Sequence, residues 1–234
     1  MKRAQLIPSL FALILIALIL SPASAKADSI QYSLNLSGCS GGCTVPAGTV
    51  TLTQDGSSVD VLVNLNSASF IDTGSSHTSF VFDINGAPKI NVTSLSAGFS
   101  WPADSLADTP FGAFDYGIDC IATGTPSLPP GTPTCGPGAS NVVPPPLQFT
   151  VSLASGSLSI YDFGGHAYSP DGPGANVFFA ADIYDNLTGN TGAVGAVPEA
   201  SSFALLGCGL AGIAAFRRRL QKTRVMRTDL PAIS

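Results

Sequence analysis

Ser58-Val59-Asp60-Val61-Leu62-Val63-Asn64-Leu65 carries an apolar side chain at every second position. Period two is strand geometry, because successive side chains leave a strand on opposite faces. Val59, Val61, Val63 and Leu65 therefore point one way, and Asp60, Leu62, Asn64 and Asn66 the other, as in a strand with one face in a core. Working outward, Phe80, Phe82 and Ile84 would likewise share a face. Alternating or β-branched segments at 30–36, 49–54, 78–84, 90–95, 114–121, 147–153, 158–161 and 177–184 predict further strands. No stretch among them has the 3.6-residue apolar period of a long amphipathic helix. Many short strands without a repeat of fixed period predict an all-β domain, an antiparallel two-sheet sandwich. A jelly roll is one topology for it and a closed barrel the alternative.

Punctuation agrees with that reading. The chain of 234 residues contains 25 glycines and 18 prolines, which suits turns between strands better than a helical bundle. Residues 125–146 hold eight prolines and predict a long loop outside any central strand. Residues 169–176, Ser-Pro-Asp-Gly-Pro-Gly-Ala-Asn, predict a second turn-rich segment. The Gly-, Asn-, Thr- and Ala-rich stretch 187–197 reads as a flexible linker following a domain of residues 26–186.

Charge is sparse and unevenly placed. Only 11% of residues are Asp, Glu, Lys or Arg, against about a quarter in ordinary soluble domains, while 45% are apolar. Between residues 26 and 196 stand thirteen Asp, no Glu, and the two cations Lys26 and Lys89, so that region has a net charge of −11. Such a surface repels nucleic acid, and it repels anionic polymers unless a divalent cation bridges the two. The remaining cations sit at the chain ends.

Those ends read as handling segments. Lys2 and Arg3, the apolar run Leu10–Leu20 and the small residues Ala23-Ser24-Ala25 form a secretory leader over residues 1–25, to be cut by signal peptidase after Ala25 or alternatively Ala27. Its apolar run of about 11 residues is too short for a membrane span, which needs about 20. At the other end Val197-Pro198-Glu199-Ala200 precedes an uncharged segment, Phe203–Phe216, and then Arg217, Arg218 and Arg219. A helix over 201–216 would measure about 24 Å, marginally enough to cross a bilayer. The basic residues beyond it, with Lys222, Arg224 and Arg227 in the tail 220–234, would stay cytoplasmic and leave the β domain outside. Pro198 biases Val197 away from helix, keeping the juxtamembrane chain extended and open to processing.

The Pro198-Glu199 pair, the Gly/Ala/Leu-rich segment and the Arg217–Arg219 cluster, with the leader, resemble the PEP-CTERM sorting signal of Gram-negative bacteria, here over residues 198–219. Ala200 stands where that pattern normally has a second Pro. The resemblance implies processing by an exosortase, a membrane-embedded cysteine transpeptidase, and delivery to the cell surface or the extracellular polysaccharide matrix. It says nothing direct about the region between the two ends.

Chemistry in the exported region is thinly signalled. Cys39, Cys43, Cys120 and Cys135 form an even set in an oxidising compartment, which favours disulfides. Cys39–Cys43 and Cys120–Cys135 are preferred among three connectivities because each closes a Gly- or Pro-rich loop, with crossed pairings left open. Their spacing does not suit zinc. Cys208 falls in the apolar segment as a small hydrophobe. No nucleophile elbow, zinc-protease helix or phosphate-binding loop is present in the sequence. His77 and His166 lie in turn-like contexts that read as solvated.

Three sets of side chains remain as candidates. Asp171, Asn176, Asp182 and Asp185 cluster along one loop and the following strand and suit the hard-oxygen chemistry of calcium. Asp115 and Asp119 would share a strand face as the carboxylates of an Asp-dependent hydrolase. Phe99, Trp101, Phe111, Phe114, Tyr116, Tyr161, Phe163 and Tyr168 are available for a carbohydrate-stacking face, with core packing as the competing use. The expectation is a non-catalytic surface protein, structural or adhesive. A calcium-supported carbohydrate-binding module is the alternative, and the hydrolase a remote one.

Overall fold

The computed structural model describes residues 28–74, 77–138, 140–164 and 177–197. Fourteen strands lie among them: β1 Ser29–Ser33, β2 Leu36–Ser37, β3 Gly48–Asp55, β4 Ser58–Leu65, β5 Ala68–Phe70, β6 Phe80–Phe82, β7 Ile90–Thr93, β8 Phe99–Ser100, β9 Ala107–Asp108, β10 Gly112–Ala113, β11 Tyr116–Cys120, β12 Leu147–Leu153, β13 Phe179–Asp185 and β14 Thr191–Ala196. They form a five-stranded sheet in the order β1-β3-β4-β12-β7 and a seven-stranded sheet in the order β2-β14-β13-β6-β11-β8, with β5 paired to β13. β9 and β10 make a separate two-stranded hairpin. Every strand pairing is antiparallel. The all-β expectation therefore holds.

The five-stranded sheet follows the alternation of its sequence. Along β4, Val59, Val61, Val63 and Leu65 are buried, whereas Leu62 and Asn64 are exposed. Its outer face is a polar ladder in which Thr150 donates to Asp60 (2.7 Å) and Gln31 to Thr51 (3.2 Å). The inner residues of this sheet and Phe80, Phe82, Tyr116, Ile118, Phe179, Ala181 and Ile183 of the larger one belong to a single buried cluster. Aromatic rings tie the two together: Phe149 of β12 lies 6.0 Å from Phe80 and 5.7 Å from Phe82.

The seven-stranded sheet is covered on both faces. Between its inward residues, Val81 of β6, Ala180 of β13 and Ala193 of β14 point the other way into a second cluster with Phe111, Phe114 and Val177. Phe111 and Phe114 flank β10, so the β9–β10 hairpin is the lid over this outer face.

Residues 187–197 are not a flexible linker. Asp185 accepts the amide of Leu187 to close a turn, and β14 then pairs with β13 along its whole length and with β2. Gly and Ala occur there because neighbours approach closely. A Cβ on Gly195 would meet Val177 at 3.0 Å and Phe111 at 3.2 Å, and one on Gly192 would meet the Cys39 backbone at 2.9 Å. The strand expected at 158–161 is instead a 3₁₀ turn, Ile160–Asp162, because Ser159 and Asp162 form a reciprocal capping box that ends extended structure. The segment expected as a Pro-rich loop holds no named strand among its described residues. It is fixed instead by the Cys120–Cys135 disulfide and by the bond from the Cys135 amide to the Ile121 carbonyl, 2.9 Å.

Candidate functional site

Period two on β13 has a consequence beyond packing. Phe179, Ala181 and Ile183 face the main core, so Asp182 leaves the strand on the opposite, hairpin-covered side. It is fully buried there. Its Oδ2 accepts the Thr73 amide (2.9 Å) and hydroxyl (2.7 Å), which fixes the carboxylate and leaves Oδ1 without a hydrogen-bond partner. Asp108, the last residue of β9, comes down from the hairpin and is also fully buried. Between them stands His77, from the segment that joins β5 to β6. Its Nδ1 lies 3.1 Å from Asp108 Oδ1 and 3.9 Å from Asp182 Oδ1, and its side chain keeps 24% of its exposure. Asp108 Oδ2 is unpartnered as well.

The electrostatics follow from burial. Loss of water pushes Asp108 up to about 8, against the opposing hydrogen bond from His77. Asp182 is raised for the same reason, with the Thr73 bonds working against the shift. His77 is raised chiefly by its bond to Asp108 and further by the charges of Asp182, Asp108 and Asp72. Asp119, on β11, accepts the Ser79 amide (3.2 Å) and is raised to about 6 by burial. Asp83, just past β6, accepts the Asp115 amide at 2.8 Å, is fully buried with a free Oδ2, and is raised to about 7 by burial. Among the described residues, the carboxylates that burial raises, Asp83, Asp108, Asp119 and Asp182, thus belong to the seven-stranded sheet, its margin and its lid. Among the described residues, His77, Asp108 and Asp182 are the one group of three His, Cys, Asp or Glu side chains whose ligand atoms all lie within 4.8 Å of each other.

The site differs from the sequence expectations in informative ways. Of the calcium set, the two described members, Asp182 and Asp185, do not come together. Asp182 and Asp185 are three apart on one strand, so they leave it on opposite faces, and Asp171 and Asn176 lie outside the described residues. Asp185 is instead a backbone clamp that accepts the amides of Thr44 (2.7 Å) and Leu187 (2.8 Å). Although its burial works the other way, those bonds hold it down at about 2. His77 is not a solvated turn residue, because the fold brings two buried carboxylates to it. His166 lies outside the described residues.

Asp115 and Asp119 are each engaged separately, with Asp115 bound through its amide to Asp83 and Asp119 to Ser79. Among the described residues, the aromatic set does not form a stacking face. Phe99, Phe111, Phe114, Tyr116 and Phe163 are buried, Trp101 packs against Phe82 and Tyr116, and Tyr168 lies outside the described residues, leaving Tyr161 exposed. The cysteines pair as preferred, Cys39 with Cys43 and Cys120 with Cys135. Sequence reasoning missed Asp108 and the role of His77, since neither sits in a motif.

Among the described residues, no helix is long and apolar enough to cross a membrane. The leader 1–25 and the segments at 198–219 and 220–234, including Pro198, Glu199 and Arg217–Arg219, lie outside those residues. Comparison with known proteins supplies what geometry does not. The chain carries a PEP-CTERM protein-sorting motif over residues 196–219, in agreement with the resemblance drawn from Pro198, Glu199 and the Arg cluster. That motif implies an exported precursor held at the membrane and handled by exosortase-type machinery. No curated protein and no solved structure matches the chain.

Proposed function

We propose that this protein is a non-catalytic structural or adhesive component of the cell surface or of an extracellular polysaccharide matrix. In this reading it enters by its leader, is held at the inner membrane by its C-terminal segment, and is released by an exosortase. The observation that carries the proposal is the junction between fold and signal. β14 ends at Ala196, and the sorting motif begins at that residue. Cleavage just beyond Val197 would therefore leave β1 to β14 intact, whereas a cut a few residues earlier would strip a strand that lies between β2 and β13. The two disulfides support an oxidising destination. The burial of the aromatic set favours a scaffold over a sugar-stacking module.

Mass spectrometry of the surface-associated protein tests the reading. The expected species begins after the leader and ends between Val197 and Glu199. A surface form that extends to Ser234 overturns exosortase release. Specific binding on a glycan array would move the assignment to a carbohydrate-binding module. Turnover of a substrate that is lost on substitution of Asp115 or Asp119 would make the protein a hydrolase.

A further inference from the structure

We propose that His77, Asp108 and Asp182 bind one first-row divalent cation, with zinc as the best fit. The proposal is independent of the surface role argued above.

Two features of the geometry carry it. First, the donor atoms converge. A metal at about 2.0–2.2 Å from each ligand needs ligand atoms about 3.0–3.5 Å apart. Nδ1 of His77 lies 3.1 Å from Asp108 Oδ1 and 3.9 Å from Asp182 Oδ1, and the three ligand atoms all lie within 4.8 Å of one another, so small side-chain shifts would draw them onto one ion. Second, the carboxylates are deeply buried and underused. Asp108 and Asp182 are both 0% exposed, and each keeps an oxygen with no partner among the described residues. Buried charge in proteins is paired or coordinates metal. When both carboxylates are ionised, one imidazolium balances only one of them, while a divalent cation with neutral His77 balances both.

The surroundings suit a metal site. Thr73 binds Asp182 Oδ2 through two donors and so aims Oδ1 at His77, as outer-shell partners do for metal-binding carboxylates. The three ligands come from three separate segments, the joint between β5 and β6, the hairpin strand β9, and β13, so a bound ion would pin the lid to the sheet. The partial exposure of His77 gives a route from solvent to the site. Ligand chemistry selects the ion. An imidazole nitrogen with two carboxylates suits zinc and its first-row neighbours, whereas calcium takes six to eight oxygens and magnesium an octahedron of oxygens and waters.

The test uses the full chain, purified in mild detergent, stripped with chelator and then titrated separately with zinc, manganese(II), calcium and magnesium chlorides. The expected result is a single zinc site of micromolar or tighter affinity, a melting temperature raised by several degrees at saturating zinc, and little response to calcium or magnesium. Asp108→Asn preserves side-chain volume and should weaken zinc binding by tenfold or more. Should that variant fail to fold, His77→Gln at the partly exposed position reads the same loss. Cobalt(II) provides a spectroscopic check, since its visible absorption in the wild-type chain should vanish in His77→Gln. No zinc binding in the wild type, zinc binding that survives His77→Gln, or a preference for calcium would each overturn the proposal.

Discussion

The two sheets share one core yet treat their second faces differently. In the five-stranded sheet the outer face meets water, and the sequence alternates accordingly, with Val and Leu inward and Asp, Asn, Thr and Gln outward. In the seven-stranded sheet the outer face lies beneath the β9–β10 lid, and its strands read as almost continuously buried, as in the buried triplets of β5 and β6. A polar residue that faces outward from the first sheet is solvated at little cost. The same residue on the second is trapped, and it must find a partner, lose its charge or bind an ion. That is why Asp60 merely accepts a hydrogen bond from Thr150, whereas Asp83, Asp108 and Asp182 are buried with unpartnered oxygens.

Cutting large side chains from each side of the larger sheet tests this contrast most strongly. Phe149→Ala removes a ring between the sheets and Phe111→Ala removes one beneath the lid, and each should cost about 3–5 kcal/mol in denaturant unfolding. A cost for Phe111→Ala below about 1 kcal/mol would mean that the lid does not seal the second face.

Replacing Cys120 and Cys135 together by Ser should cost about 3 kcal/mol through the loop of 15 residues that the bond closes, and removing the pair Cys39–Cys43, with a separation of 4, about 2 kcal/mol. Unfolding under oxidising and reducing conditions checks both. A comparable loss, about 2–3 kcal/mol, is expected for Asp185→Ala, which leaves the Thr44 and Leu187 amides unmatched.

Asp83 sharpens the comparison through pH. Its folded-state pKa is raised by burial from 3.8 to about 7, so the folded protein holds this proton more tightly than the unfolded chain does. Its contribution to stability is therefore intact below about pH 4 and declines as pH rises through 7. Melting temperature should fall over that window by a few degrees, and Asp83→Asn should flatten the fall. An unchanged slope in the variant would show that Asp83 is not the group responsible. The smallest effect belongs to the exposed face of the other sheet, where Leu62→Ser should shift stability by no more than about 0.5 kcal/mol.

The legibility of the sequence follows the same division. β3, β4 and β12 were predictable almost to the residue because a sheet with one wet face writes its geometry into an alternating pattern. β14 was not, because Gly and Ala in a low-complexity stretch carry no apolar alternation. Their role as spacers for Phe111 and Cys39 exists only when those groups are in place. The strands of two or three residues, such as β2, β8, β9 and β10, are too short to carry any period. The two described members of the calcium set separate for a related reason. Nearness in sequence does not make Asp182 and Asp185 neighbours in space, because a spacing of three on a strand separates them by the thickness of the sheet.

By itself the sequence determined the β class, the acidic character of the domain and the sorting signal read at residues 198–219, and it preferred the pairing of nearby cysteines while leaving crossed pairings open. All of these rest on local pattern, composition or short loops. Only the tertiary structure decided that His77, Asp108 and Asp182 would meet, that one sheet would be sealed on both faces, and that the chain between Asp185 and the sorting signal would be a strand. Each of those depends on contacts between segments far apart in the chain, and the free energy of burying them is a property of the assembled layers that no single segment carries.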